Sequence, residues 1–220
     1  MSVRPLESES AEYRKLRAEL LAAEIALKDQ IERVAALRRA LPADTVVADQ
    51  RFEEIRDGVR APVLLSELFE RPDHTLVLMH FMYGKQQEKP CPMCTLWADG
   101  YDGIVPHLRQ RVSFAVLVAG DAGAFAAYAR SRGWRHLRVV GAAASDLKRQ
   151  LGFEDASGAQ WPGASVFRRN ADGTLVHTYS VSADFAPGHY RGMDLLSPFW
   201  SFLDLTPEGR GDFMPRRSYE

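Results

Sequence analysis

The sequence predicts an α/β sandwich with a mixed central sheet, preceded by a helical arm. Short apolar runs alternate with helical stretches between residues 75 and 152, as in strand–helix–strand units. Two more strand patterns, residues 164–169 and 174–182, flank Asn170-Ala-Asp-Gly173, which signals an antiparallel hairpin. Ahead of both, residues 10–40 carry apolar side chains three or four apart. The expected division is therefore 1–42 for the arm and 43–220 for the sandwich.

In the arm, Leu16, Leu20, Ala23, Leu27, Ile31, Val34, Leu37 and Leu41 lie on one stripe, and Pro42 stops the helix. Glu24 with Lys28 and Asp29 with Arg33 are favourable pairs four apart. The stripe needs a cover, either the sandwich or a second copy of the chain, so a homodimer through this helix is one expected arrangement. Residues 44–69 predict a short hairpin about Asp57-Gly58, then one helical turn. The apolar run 75–82 suits a strand covered on both faces. A helix follows over about 92–110, with a bend or break expected from Gly100, Gly103 and Pro106. Residues 112–118 predict a second buried strand, and Asp121 can cap a helix ending at Gly133. Residues 137–140 form a third strand pattern, and Ser145 can cap a short helix ending at Gly152. A last helical stretch, 193–205, is interrupted by Pro198.

The 220 residues are 46% hydrophobic and 26% charged, enough for a substantial core and against wholesale disorder. Twenty-eight Lys and Arg against 29 Asp and Glu leave a net charge of −1, with no general pull toward nucleic acid or anionic lipid. Apolar runs such as 76–81 are too short to span a bilayer. The first ten residues lack the apolar stretch of a signal peptide, so the expected compartment is the cytoplasm.

The only cysteines, Cys91 and Cys94, form a Cys-Pro-Met-Cys motif at the predicted start of a helix after a buried strand. There the helix dipole and unpaired N–H groups favour a thiolate, and Lys85 and Lys89 could add positive charge. Cys91 is expected to attack a disulfide and Cys94 to resolve the mixed disulfide. Zinc would need about four ligands, and the six histidines are scattered with no second Cys pair, so no metal is expected. Two inert buried thiols are the other alternative. His80, in the strand leading to the motif, is a candidate proton-handling group, since imidazole titrates near neutrality. A core histidine with a satisfied hydrogen bond is the competing reading.

His80-Phe-Met-Tyr-Gly84, Cys91-Pro-Met-Cys-Thr-Leu-Trp-Ala-Asp99, Gly133-Trp134, Pro162-Gly-Ala-Ser-Val-Phe167, His177-Thr-Tyr-Ser180 and Leu203-Asp-Leu-Thr-Pro-Glu-Gly-Arg210 resemble a mostly bacterial, thioredoxin-like family of dithiol–disulfide oxidoreductases of unknown specific function. The resemblance covers about residue 41 to the C-terminus and implies a thioredoxin-like fold. It places His80 where thioredoxins carry a buried acid. It also places Trp161-Pro162 where they carry a cis-proline that docks substrate, so a cis bond and a substrate-binding role are expected, with an ordinary trans turn as the alternative. No cofactor is implied; the expected partners are an external thiol reductant and a disulfide substrate. The extra strand–helix pair between residues 119 and 152 is similar to peroxiredoxins, so a thiol peroxidase is the runner-up. Against it, were Cys94 the peroxidatic cysteine, Cys91 would stand where such enzymes carry their peroxide-activating Thr, and Ala164 falls about where they carry the Arg, so both groups are missing. A non-catalytic binding module is the third expectation.

Overall fold

The structure, a computed structural model, describes residues 6–56, 58–142 and 144–219. It divides into two compact units, Met1–Pro42 and Ala43–Glu220. The first holds a single helix, α1 (Ala11–Arg39), whose N-terminus is capped by Ser10 Oγ accepting from the Tyr13 N–H. One helix has nothing inside its own unit to cover its apolar stripe. Its ion pairs differ from those expected: Arg17 meets Glu24, and Lys28 meets Asp29 and Glu32. Exposed pairs differ by only tenths of a kcal/mol, so the spacing alone does not choose among them.

The second unit is one eight-stranded sheet. In chain order its strands are β1 (Thr45–Val46), β2 (Arg51–Arg56), β3 (Val59–Leu64), β4 (Thr75–Phe81), β5 (Val112–Val118), β6 (Arg138–Gly141), β7 (Gly163–Arg169) and β8 (Leu175–Ser182). They lie in the order β1-β8-β7-β4-β5-β6-β2-β3. The three strands β4, β5 and β6 run parallel, and every other pairing is antiparallel. This is the mixed sandwich the sequence predicts. Side chains alternate across a strand, so β4 feeds two cores. Leu76 and Leu78 pack with Phe52, Leu68, Leu147 and Phe167 on one face. Met79 and Phe81 pack with Cys94, Trp97, Phe114 and Phe125 on the other. Among the described residues no helix is long and apolar enough to cross a membrane.

Helix α2 (Pro92–Leu108) is continuous, contrary to the expected break. Its buried face, from Cys94 through Trp97, Ala98 and Tyr101 to Val105, holds it against the sheet, and tertiary packing outweighs local propensity. Gly100 and Gly103 face open space, and Pro106 falls only two residues from the end. Asp121 caps α3 (Ala122–Ser131) by accepting from the Ala124 N–H, as expected. Ser145 Oγ accepts from the Leu147 N–H at the start of α4 (Leu147–Gln150). At the C-terminal end, a 3-10 turn (Asp194–Leu196) precedes α5 (Pro198–Asp204). Pro198 thus opens a helix rather than interrupting one, because its missing N–H costs nothing at the first position. Asp57, half of the expected turn signal, lies outside the described residues; Gly58 beside it has φ +79°.

The chain leaves β4 through Gly84, which adopts φ +91° and packs backbone to backbone on Gly120, just after β5. A methyl on Gly120 would lie 2.7 Å from Gly84 Cα, a contact the backbone can relieve only by moving. Gly120→Ala should therefore destabilise the protein by about 1–3 kcal/mol. Chemical denaturation checks this, and an unchanged midpoint would mean that the two loops separate freely.

Candidate active site

The Gly84–Gly120 contact fixes the loop that delivers Cys91 to the first turn of α2. The Cys91 N–H donates to the Met82 carbonyl at 3.2 Å. Its own carbonyl accepts from the Thr95 N–H at 3.0 Å and from the Thr95 hydroxyl at 2.9 Å. Thr95 Oγ1 is in turn 2.9 Å from the Tyr128 hydroxyl on α3. Cys91 is the N-cap of α2, with Pro92 next, where its missing N–H costs no helical bond.

The two cysteines approach to 3.5 Å and sit in different surroundings. Cys91 is half-buried, whereas Cys94, one turn along, has no solvent exposure. The Cys91 thiol is lowered to about 6, chiefly because the Cys94 thiol donates a hydrogen bond to it. Burial opposes the shift, and the backbone N–H groups of Cys94 and Met93 add to it. Burial pushes Cys94 well up, and so does the proton it shares with Cys91. The arrangement holds a thiolate at the rim and a thiol behind it. Lys85, expected to lend charge, is paired instead with Glu154, and Lys89 is exposed. Hydrogen bonds, rather than a neighbouring lysine, stabilise Cys91.

A lysine does act on the buried sulfur. Lys148 of α4 is 1% exposed, and its Nζ donates to the Phe81 carbonyl at 3.0 Å. Burial lowers its pKa to about 8, opposed by the negative charge available at Cys94 and Glu154. Glu154 is itself buried and is bonded by Lys85 and by Arg149, the latter at 3.2 Å. Sequence reasoning missed Lys148. In Ser-Asp-Leu-Lys-Arg-Gln it reads as an ordinary surface residue, and no local signal announces a buried ammonium.

His80 alternates with Leu76 and Leu78, so its side chain is on the face of the sheet opposite Cys94. Its Nε2 is 2.8 Å from Ser165 Oγ, and its ring stacks on Phe153 at 3.9 Å. Burial, with the charge of Lys148 nearby, holds its pKa well below 6.5. The structure does not bring His80 to either sulfur; Lys148 acts on both His80 and Cys94.

The Trp161–Pro162 bond is trans, correcting the expected cis bond; there is no cis peptide among the described residues. Trans is the lower-energy form of an X–Pro bond, and this local chain satisfies its hydrogen bonds in it. The Trp161 N–H donates to the Phe153 carbonyl at 3.1 Å, and the Pro162 carbonyl accepts from the Ala183 N–H at 3.0 Å. Cys91 and Met93 nevertheless pack on the cluster that includes Ala164, Val181 and Ala183, so the motif adjoins the β7 and β8 segments next to Pro162. Two open clefts share Asp184 there. One, of about 400 Å³, is lined by Trp161, Ser182 and Tyr190, and the other, of about 380 Å³, by Met93, Trp97 and Met193. Among the described residues no group of three or more His, Cys, Asp or Glu side chains could hold a metal ion.

Residues 3–219 match the family described as "Bacterial protein of unknown function (DUF899)". No curated protein matches the sequence. Among solved structures, a candidate thioredoxin reductase from Burkholderia cenocepacia superimposes with a TM-score of 0.50 at 18% identity, over 70% of this chain and 94% of that one. A mitochondrial 2-Cys peroxiredoxin from Plasmodium falciparum gives 0.49 at 12% identity, over 80% and 100%. The peroxidoxin BcpB of Mycobacterium tuberculosis gives 0.49 at 17%, over 71% and 93%. The first of these likenesses, together with the strand order above, makes the fold thioredoxin-like.

If the Cys94 hydrogen bond is the main support of the Cys91 thiolate, Cys94→Ala should move the Cys91 ionisation up from about 6 toward the ordinary thiol range. Alkylation rate against pH reads this directly. Wild type should lose reactivity as pH falls through about 6, and the variant should lose it at distinctly higher pH. Equal midpoints would assign the shift to the helix terminus instead.

Proposed function

This chain belongs to the DUF899 family of bacterial proteins of unknown function, and we propose that it is a dithiol–disulfide oxidoreductase working through Cys91 and Cys94. The carrying observation is the pair itself, a half-buried thiol lowered to about 6 with a fully buried thiol 3.5 Å away. The Cys91 thiolate attacks one sulfur of a substrate disulfide. A Cys91–substrate bond forms, the substrate S–S bond breaks, and the departing sulfur leaves with the electron pair as a thiolate. Cys94 then gives up its proton and attacks Cys91. The intramolecular disulfide forms, and the second substrate sulfur leaves reduced. An external thiol returns the pair to the dithiol, so the partners are that reductant and the oxidised substrate.

The clefts beside Met93 and Trp161 are the surface offered to substrate. Trp161, 39% exposed, forms one wall, and Pro162 anchors the backbone behind it.

Peroxide reduction is the second reading, since a thiolate of this kind also attacks an O–O bond. It is disfavoured by the setting of Cys91, where Glu88 stands three residues before the sulfur and the Thr95 hydroxyl is committed to the Cys91 carbonyl and Tyr128. Neither gives the hydrogen bonds that polarise a peroxide. Wild type should reduce the interchain disulfides of insulin with a dithiol donor, and Cys91→Ser should abolish the reaction. Faster peroxide consumption than insulin reduction would install the peroxidase reading. Failure of both would favour a binding module.

A further inference from the structure

Helix α1 has an apolar face that nothing in its own chain covers. Tyr13, Leu20, Leu27 and Val34 recur every seven residues, with Leu16, Ala23 and Leu37 between them at steps of three or four. All seven fall on one side of the helix, and Gln30 is the polar exception in the series. No residue of α1 is buried, and Tyr13, Leu16, Leu20, Leu27 and Leu37 are each more than half exposed. An open stripe of this length marks an interaction surface, because helices in proteins draw most of their stability from packing such a face. A seven-residue repeat along a helix of 29 residues is the pattern of a coiled-coil seam, which a second helix with the same repeat covers.

The charges beside the seam choose both the occupant and its direction. Glu12, Glu19 and Arg33 lie along one flank, and Arg17, Glu24 and Arg38 along the other. A parallel second copy brings opposite flanks together, each residue meeting the one five positions later. Glu19 would then meet Glu24 and Arg33 would meet Arg38, like charges in both cases, against one favourable contact of Glu12 with Arg17.

An antiparallel second copy brings like flanks together instead. Centred on Ile25, it stacks Tyr13 on Leu37, Leu16 on Val34 and Ala23 on Leu27, and it sets Glu19 of each copy against Arg33 of the other. Glu19 and Arg33 stand at nearly equal distances on either side of the helix's middle, as self-complementarity about a two-fold axis requires. Among the described residues neither has an ion pair or hydrogen bond within its own chain. On the other flank Glu24 faces its own counterpart, and each is already paired with Arg17 of its own helix at 3.0 Å.

We propose that α1 docks antiparallel on α1 of a second copy of this chain, with Glu19 of each facing Arg33 of the other. The contact is isologous and independent of the dithiol chemistry.

Sedimentation equilibrium of the full-length protein at low salt, where exposed charges are least screened, reads the dissociation constant. Wild type should be a dimer at micromolar concentration. Leu20→Glu, which puts a charge in the seam, should be monomeric; Leu20 is exposed within the chain, so each copy keeps its fold. Glu19→Arg and Arg33→Glu should each weaken the dimer about fivefold or more, since symmetry makes two like-charge contacts from each change. The two changes together should restore wild-type affinity. A monomeric wild type, or a dimer that survives Leu20→Glu, overturns the seam. A tighter dimer with Glu19→Arg overturns the antiparallel direction, because only a parallel pair brings that position to Glu24. A double variant no tighter than either single one overturns the register.

Discussion

A thiol donating its proton to a thiolate 3.5 Å away, at the open end of a helix, is the interaction around which this molecule is arranged. It needs one sulfur at the rim and the other in dry surroundings. Helical geometry supplies both, because residues three apart lie on one side of a helix while only the second is pressed against the sheet. The same contact lowers one ionisation and raises the other. The attacking and resolving parts are therefore distinguished by position rather than by chemical type.

Keeping Cys91 at that rim constrains parts of the chain that never touch it. The loop from Met82 must leave β4 and return to the start of α2 within ten residues, and its first bend lies where Gly84 and Gly120 touch backbone to backbone. The carbonyl of Cys91 is tied twice to Thr95, and Thr95 is tied to Tyr128 on the next helix. Movement of the nucleophile would therefore disturb several elements at once.

The opposite face of β4 carries buried polar groups that a purely structural core would avoid. An ammonium and an imidazole in an apolar interior each carry a desolvation cost unless hydrogen bonds or charge offset it. Lys148 has the Phe81 carbonyl and the charge of Glu154; His80 has Ser165 and a ring stack on Phe153. Both are polar groups of the kind that cluster where proton movement is needed. A thioredoxin-like fold by itself does not assign an activity, so the reading stands on these groups and the cysteines.

Much of this architecture is written in local pattern. Burial on both faces makes β4 and β5 continuous apolar runs, and Asp121 caps α3 by a hydrogen bond to a neighbour in sequence, whereas the N-cap of α4 is Asp146, with Ser145 one residue before it accepting from the Leu147 N–H. The Cys-x-x-Cys spacing itself fixes that both sulfurs fall on one helical turn. The uninterrupted α2, the trans bond at Pro162, the face on which His80 lies and the burial of Lys148 were all decided elsewhere. Each depends on what packs against the residue from distant sequence: Phe153 beside His80 and Trp161, the sheet beneath α2, and the Phe81 carbonyl over Lys148. Short-range pattern encodes periodicity and capping, whereas the environment of a polar side chain is set by long-range contacts that no window of sequence contains.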